Sequence, residues 1–425
     1  MQHATRTDHG SARPSKVVGL SAMALALLAA ACGSSSSSGG AGSGGSVTVA
    51  MNTTLSGSFA SFGLANQNAV RLAVDQINGS GGLLGKQVKL EIKDDSAKPD
   101  VATELTRTEI LDDHIVALFG GVSSSAALAE QTVIAKYKVP FFLHTSNTDQ
   151  LTVKKFNKYT FSVVPNTGME GRANAITAAK LPYSRYYLIG PDYEFGHSQL
   201  TAFKTKLQEL KPDVTIVGED YPKLGATDFS SFITKIQAAN PEIVYSAEFA
   251  GDLITFLTQA KSAGLVGKDT SPKLIGLFDV DTLRNLGSGA PNGAFAYGRA
   301  PFFAIKTAKM DTFVSAFKAQ YNVAPSDWAV MAYDAVNLWA EGVKKAGTFD
   351  AEKVADALSG TTFDSVRGQL TIRAIDHQLN CSEYEGVLAA DTKVGFSTFS
   401  ATAVSLNGND LLLTPDQVTA ARSSG

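Results

Sequence analysis

Cysteine, tryptophan and charged residues are scarce in this chain, and their scarcity excludes several classes of protein. The two cysteines, Cys32 and Cys381, allow one disulfide at most, so stability has to come from a packed core. Charged residues make up 18% of the chain and sum to −3, which leaves no basic surface for a nucleic acid partner. Beyond the N-terminal region, no apolar run is long enough to cross a membrane.

Motifs for catalysis, phosphate binding and metal binding are also missing. Residues 80–87 are similar to a phosphate-binding loop, but Ser80 replaces the first glycine and Gln87 replaces the required serine or threonine. Residues 121–125 lack the closing glycine of a hydrolase nucleophile elbow. The six histidines have no Glu or Cys at metal-ligand spacing. We therefore expect neither an enzyme nor a cofactor.

The N terminus, by contrast, has a clear pattern. A basic stretch precedes an apolar run at residues 17–31, which is roughly 15 residues long and ends in small residues. This run is shorter than the roughly 20 residues that span a bilayer, and the pattern is typical of a secretory signal peptide. We predict a signal peptide at residues 1–31 and an extracytoplasmic protein.

Cys32 directly follows this run. The segment Leu28-Ala29-Ala30-Ala31-Cys32 resembles a bacterial lipobox, in which the cysteine receives a diacylglyceryl group, although Leu lies one residue earlier than usual. The resemblance implies a lipoprotein anchored to the cell membrane through Cys32. Residues 32–46 are rich in Ser and Gly and form the predicted flexible tether. An ordinary signal peptide with an incidental cysteine is the alternative.

From residue 47 onwards, short apolar runs alternate with segments of helical periodicity. Strands are predicted at residues 47–51, 88–93, 115–119, 140–143, 186–189, 214–219, 243–246 and 273–277. Helices are predicted at residues 63–78, 98–112, 124–136, 169–180, 196–210, 229–239 and 252–263. Strands separated by helices of this length indicate parallel sheets covered by helices on both faces.

Two such series imply two domains. The predicted fold class is α/β, with two doubly wound parallel-sheet lobes joined by a multi-crossing hinge, because the later helices are expected to return to the first lobe. Lobe 1 is predicted to comprise residues 47–164 and 298–376, and lobe 2 residues 165–297 and 377–405. Residues 406–425 are predicted to be a C-terminal tail.

Polar residues follow several predicted strands. In open α/β sheets, ligands bind beyond the carboxyl ends of strands, where helix N-termini attract negative charge. Ser123 and Ser124 follow one strand, while Asp252 opens a helix after another; helix capping and a helix-start acid are the alternative roles. The further candidates follow strands in the same way: Thr145, Ser146 and Asn147 as donors, and the aromatic residues Phe59, Phe62, Tyr193, Phe195, Phe249 and Phe278.

Several collinear segments resemble the type I periplasmic binding proteins of the Leu/Ile/Val-binding family. They are Ser56-Gly57, residues 61–63 and 68–78, Gly81 to Lys86, residues 120–125, Asp192 to Gly196, residues 259–264, Tyr333 to Val336 and Asp376-His377-Gln378. The resemblance covers nearly the whole chain after the tether. It implies a two-lobed receptor of an ABC importer that binds a small amino acid or a related carboxylate or amide. A ligand sensor of the same fold is the alternative.

The resemblance also implies roles for single residues. Ser123 matches the serine that binds a ligand α-carboxylate, and Asp252 falls at the acidic position that binds the α-amine. Phe62 matches an aromatic residue at the mouth of the pocket, while Phe195 stands where the family has Tyr, so that Tyr193 is a possible substitute. The expected partners are the small ligand and the permease subunits, with the protein itself a monomer.

Overall fold

The computed structural model describes residues 44–267 and 272–423 of the chain. The predicted signal peptide, Cys32 and nearly all of the tether lie outside the described residues. The strands in chain order are β1 Ser46–Thr53, β2 Gln87–Asp94, β3 Leu118–Gly120, β4 Phe141–Leu143, β5 Thr160–Ser162, β6 Arg185–Ile189, β7 Thr215–Asp220, β8 Ile243–Ser246, β9 Lys273–Leu277, β10 Phe295–Gly298, β11 Thr362–Ser365, β12 Gly368–Thr371, β13 Glu383–Val387, β14 Ala389–Asp391, β15 Phe396–Thr398 and β16 Val404–Leu406.

Helices separate most of these strands, as the apolar periodicity predicts. The α-helices are α1 Ala60–Gly79, α2 Pro99–Leu111, α3 Ser124–Tyr137, α4 Thr167–Ala179, α5 Glu194–Leu210, α6 Ser230–Ala239, α7 Ala250–Ser262, α8 Val280–Leu286, α9 Ala308–Tyr321, α10 Asp327–Ala346, α11 Ala351–Leu358, α12 Gly408–Leu411 and α13 Pro415–Ser423. In the described part of the chain, no helix combines the length and the apolar character that crossing a bilayer requires.

Lobe 1 is built on a parallel sheet of five strands in the order β2-β1-β3-β4-β5. Strands β3, β4 and β5 are buried along their whole length, as expected of parallel strands with helices on both faces. Helix α10 returns from later in the chain and packs on α1, and its Trp339 meets Phe119 edge-on with 5.9 Å between ring centroids. The later helices therefore complete the core of the first lobe.

Lobe 2 is built on a sheet of seven strands in the order β16-β13-β10-β9-β8-β6-β7. The five strands β6 to β10 are parallel, while β13 and β16 add an antiparallel edge. Aromatic side chains fill this core, with Phe203 stacked on Tyr245 at 3.8 Å between ring centroids. Two doubly wound sheets with helices on both faces confirm the predicted fold class.

The chain passes between the two sheets three times. The first passage ends where Asn166 caps α4 by accepting a hydrogen bond from the amide of Met169, and the second ends where Thr307 caps α9. The third passage runs beside the first, since the amide of Ser162 donates to the carbonyl of His377 and the amide of Leu379 donates back to Ser162. Three connections between the lobes, of which the first and third are hydrogen-bonded to each other, agree with the multi-crossing hinge that the sequence predicts.

Several short elements differ from the sequence-based expectation. Strands β5 and β10 were not predicted, and the strand expected at residues 115–119 is Leu118–Gly120. The segment expected to be a tail forms helices α12 and α13, and Arg422 on α13 donates hydrogen bonds to the carbonyls of Val153 and Ile375. Strands of three or four residues carry too few side chains to show a period, so they are recognised through their neighbours.

Candidate functional site

The carboxyl ends of both sheets face a small cavity between the two lobes. Its volume is about 20 Å³, which is room for a single water. It is lined by Phe59, Phe62, Val122, Ser124, Thr145, Asn147, Tyr193, Phe195, Phe249, Leu277, Arg299 and Trp328. Lobe 1 contributes the hydroxyls of Ser124 and Thr145 and the amide of Asn147, Tyr193 of lobe 2 carries a further hydroxyl, and both lobes contribute aromatic rings.

Aromatic rings from opposite lobes account for the small size of the cavity. Phe59 stacks on Phe249 with 5.2 Å between centroids, and Phe62 lies 5.7 Å from the same ring. On its other side Phe62 packs against Trp328 at 4.0 Å. Ligand pockets usually enclose about 300–1,000 Å³, so a ligand reaches this site only when the lobes separate and these rings part.

The polar groups of lobe 1 are held in place by a buried hydrogen-bond network. Thr145 Oγ1 accepts a bond of 2.9 Å from Asn66 Nδ2 and lies 3.0 Å from His144 Nδ1. Burial lowers the pKa of His144 to about 3, so its ring is neutral at physiological pH. Asn147 Nδ2 donates to the carbonyl of Pro165 and to Glu170 Oε2, at 2.9 and 2.6 Å. These bonds fix Thr145 and Asn147 at the cavity wall.

A buried ion pair lies against this network. The guanidinium of Arg299 donates to both carboxylate oxygens of Glu170, at 2.6 and 3.1 Å, and to the carbonyl of Thr145 at 2.8 Å. Burial by itself would lower the pKa of Arg299, but the Glu170 carboxylate reverses the effect and raises it. The guanidinium also faces the rings of Trp328 and Phe195, at 5.0 and 5.8 Å from their centroids. Among the cavity-lining residues in the described part of the chain, Arg299 alone carries a charge.

Six of the ten predicted site residues line the cavity, namely Phe62, Ser124, Thr145, Asn147, Tyr193 and Phe195. Their role in ligand binding stays a prediction. Ser123 occupies the N-cap position of α3, yet its side chain makes no capping hydrogen bond. Ser146 is buried beside the cavity wall. Phe278 is buried in the core of lobe 2.

Asp252 lies outside the cavity lining. Its Oδ1 accepts a hydrogen bond of 2.9 Å from Ser58 Oγ, and its Oδ2 accepts one of 2.7 Å from the amide of Gly225. Burial raises the pKa of Asp252, although both of these bonds lower it. Ser58 belongs to lobe 1 and Asp252 to lobe 2, so the carboxylate joins the lobes in this structure. The predicted contact with a ligand ammonium stays untested.

Sequence reasoning missed Arg299 and Trp328 as cavity residues. Arg299 directly follows β10, a strand of four residues that shows no periodic signal. Trp328 lies in the first turn of α10, and the chain places that turn beside Phe62 only after the second passage between the lobes. Recognition of β10 as a strand would have made Arg299 a candidate under the same strand-end rule.

Two α/β lobes that meet around a small cavity at their strand ends define a two-lobed binding protein. Residues 46–384 match the sequence profile of the periplasmic binding protein family. The chain belongs to this family, which confirms the predicted resemblance, and it is therefore a binding protein and not an enzyme.

Individual relatives share the architecture at low sequence identity. The leucine-, isoleucine-, valine-, threonine- and alanine-binding protein of Pseudomonas aeruginosa is 24% identical over 326 residues, which are 76% of this chain and 85% of the relative. An ABC transporter solute-binding protein of R. palustris, solved with benzoate, has a TM-score of 0.75 at 23% identity. The match covers 84% of this chain and 97% of the R. palustris chain. LivJ of Streptococcus pneumoniae, solved with isoleucine, has a TM-score of 0.72 at 23% identity. The match covers 85% of this chain and 99% of LivJ. At this identity the two solved structures establish the fold alone.

Proposed function

We propose that this protein is the solute-binding receptor of an ABC importer, anchored to the outer face of the cytoplasmic membrane through a lipid on Cys32. Its ligand is a small carboxylate with an apolar body, which the closed lobes deliver to a permease. The observation that carries this proposal is the cavity where Ser124, Thr145 and Asn147 meet six aromatic rings. Hydroxyl and helix N-terminal groups suit a carboxylate, while Asn147 donates both amide hydrogens to the protein and shapes the wall; the rings suit an apolar body.

Two solved relatives with different ligands support a carboxylate as the ligand class. The R. palustris protein was solved with benzoate and the Streptococcus pneumoniae protein with isoleucine, and both ligands join a carboxylate to an apolar group. Because the ligand stabilises the closed arrangement of the lobes, the permease can recognise the loaded receptor by its shape. A micromolar dissociation constant, reasonable for a scavenging receptor, corresponds to about −8 kcal/mol.

Thermal-shift measurement of the soluble domain tests this proposal. Residues 44–425 are screened against small carboxylates, their amides and amino acids, and the hits are confirmed by calorimetry. At a ligand concentration of about 100 Kd, binding adds about 2.7 kcal/mol of stability, which is easily detected. A screen in which no carboxylate raises the melting temperature would contradict the ligand class. Deletion of the gene should abolish uptake of the ligand, whereas unchanged uptake would indicate a sensor.

Membrane anchoring is tested separately through Cys32. Cys32→Ala should release the protein from the membrane fraction or leave it unprocessed, because the acylated thiol is lost. Cys381→Ala is the matched control, since Cys381 is buried in the described structure and lies far along the chain from the presequence. A Cys32→Ala protein that fractionates and migrates like the wild type would rule out lipidation at this residue.

A further inference from the structure

The cavity contains a charged group that the family resemblance does not assign. Arg299 follows β10 and is buried, and its guanidinium forms part of the cavity wall. Three of its N–H groups donate to Glu170 and to the Thr145 carbonyl, at 2.6, 3.1 and 2.8 Å. A guanidinium has five N–H donors, so two remain for another acceptor.

The ion pair is oriented with respect to the cavity. Arg299 belongs to the cavity wall, whereas Glu170 lies on α4 behind it and is fully buried. Asn147 also donates to Glu170, so the carboxylate has partners on the side away from the cavity. The pair thus presents its positive end to the space between the lobes. In a site that excludes water, this field acts more strongly on an anion than it would in solvent.

The described lining of the cavity offers a cation no carboxylate counterpart to Arg299. Among the described residues that line the cavity there is no carboxylate, and Asp252, which lies outside the lining, is engaged by Ser58 and by the amide of Gly225. A ligand ammonium would therefore lose its hydration without meeting a carboxylate in the cavity lining, which is costly. Trp328 and Phe195 flank the guanidinium and add apolar surface next to it.

We propose that Arg299 binds the carboxylate of the solute, that Glu170 is the positioning residue that orients Arg299, and that the solute is an apolar monocarboxylate without an ammonium group. This inference rests on the proposed function and makes its ligand class more specific. The two remaining N–H groups of Arg299 supplement the hydroxyl groups of Ser124 and Thr145 in the same cavity lining. The ion pair then acts as a charge filter at the boundary between the lobes.

Matched acid and amide probes separate this role from simple packing. The soluble domain is titrated with benzoate, 4-hydroxybenzoate, phenylacetate and 3-methylbutanoate, with the amide of each, and with leucine and phenylalanine. The wild type should bind at least one acid more than about 30-fold tighter than its amide, as expected for a buried charge contact. The amino acids should bind more weakly than the acid.

Three variants complete the test. The double variant Arg299→Gln/Glu170→Gln avoids a stranded carboxylate and should bring the acid-to-amide ratio to within about 3-fold, a loss of at least tenfold. Glu170→Gln keeps the charge of Arg299 but loosens its orientation, so the ratio should fall partially. Arg299→Lys should keep part of the preference for the acid over its amide. This variant tests whether Arg299 contacts the carboxylate if the double variant does not fold. The melting temperature without ligand is recorded for each variant.

Each result decides a different point. A double variant that lowers the melting temperature but keeps the wild-type acid-to-amide ratio would overturn the role of Arg299, as would an Arg299→Lys protein with an unchanged ratio. Tighter binding of leucine or phenylalanine than of every acid would overturn the ligand class while leaving the proposed receptor function intact. If none of these probes binds, the proposed carboxylate function fails, and this inference fails with it.

Discussion

Ser58 and Asp252 form a hydrogen bond across the cleft, with 2.9 Å between Ser58 Oγ and Asp252 Oδ1. The two residues are far apart in sequence and belong to different lobes, so this bond exists only when the lobes are together. A hydrogen bond to a charged acceptor contributes about 1.5–3 kcal/mol. Closure is therefore stabilised in part by the protein's own groups and not by the ligand alone.

Ser58→Ala and Asp252→Ala test whether Asp252 joins the lobes or binds an ammonium. If it joins the lobes, both variants should weaken binding of every ligand by about 10- to 100-fold, because the closed form loses the same bond. The double variant should then lose little more than either single one. The measurement is calorimetry with an acid and an amino acid. A loss confined to the amino acid in Asp252→Ala, with Ser58→Ala unaffected, would instead support the ammonium role.

Glu194 also makes a contact between the lobes. Its Oε1 accepts hydrogen bonds from Thr148 Oγ1 and Gln150 Nε2, both at 2.7 Å. We expect Glu194→Ala to shift the ligand-free protein towards an open form and to increase its radius of gyration in small-angle X-ray scattering. The control is Glu209→Ala on the same helix, where Glu209 pairs with Lys206 on the surface. Equal radii for both variants would exclude a role of Glu194 in closure.

The paired serines at the start of α3 allow a comparison of neighbouring residues. Ser123 makes no capping bond, so Ser123→Ala should leave the melting temperature without ligand unchanged, in contrast to the loss of about 0.5–2 kcal/mol for a removed cap. Ser124 lines the cavity, and Ser124→Ala should reduce the ligand-induced shift. Thr132→Ala, exposed on the same helix, is the control. A lower melting temperature without ligand in Ser123→Ala would restore the capping role.

The strand-end rule explains both what the sequence predicts about this site and what it cannot. Thr145 and Asn147 follow a strand with a clear apolar run, and the parallel sheet places them at the cavity as expected. The choice between Ser123 and Ser124 depends on the direction of one backbone turn, which a sequence pattern does not contain. Arg299 and the Ser58–Asp252 bond depend on passages between the lobes and on long-range packing, so they appear only in three dimensions.

Stability should also depend on pH through Glu385, which lies on β13 and is buried. Burial raises the pKa of Glu385 to about 8, against the lowering influence of Thr177 and Lys180. The folded state then holds this proton more tightly than the unfolded chain, whose Glu pKa is about 4.3. The stabilisation is complete below about pH 4.5 and is lost as the pH rises through about 8.

Urea unfolding at pH 6.5 and pH 8 checks this dependence through the difference between the wild type and Glu385→Gln, because burial also raises the pKa of Glu109 and of Asp279 to about 7 and these carboxyls contribute to the slope of both proteins. Wild-type unfolding free energy should fall across the window, and Glu385 contributes at most about 1.4 kcal/mol per pH unit to that fall. Glu385→Gln carries no proton to lose, so its decline should be shallower by up to that amount. Glu341→Gln, at an exposed position on α10, should decline like the wild type. Identical slopes for the wild type and Glu385→Gln would show that Glu385 is already ionised in the folded protein at pH 6.5.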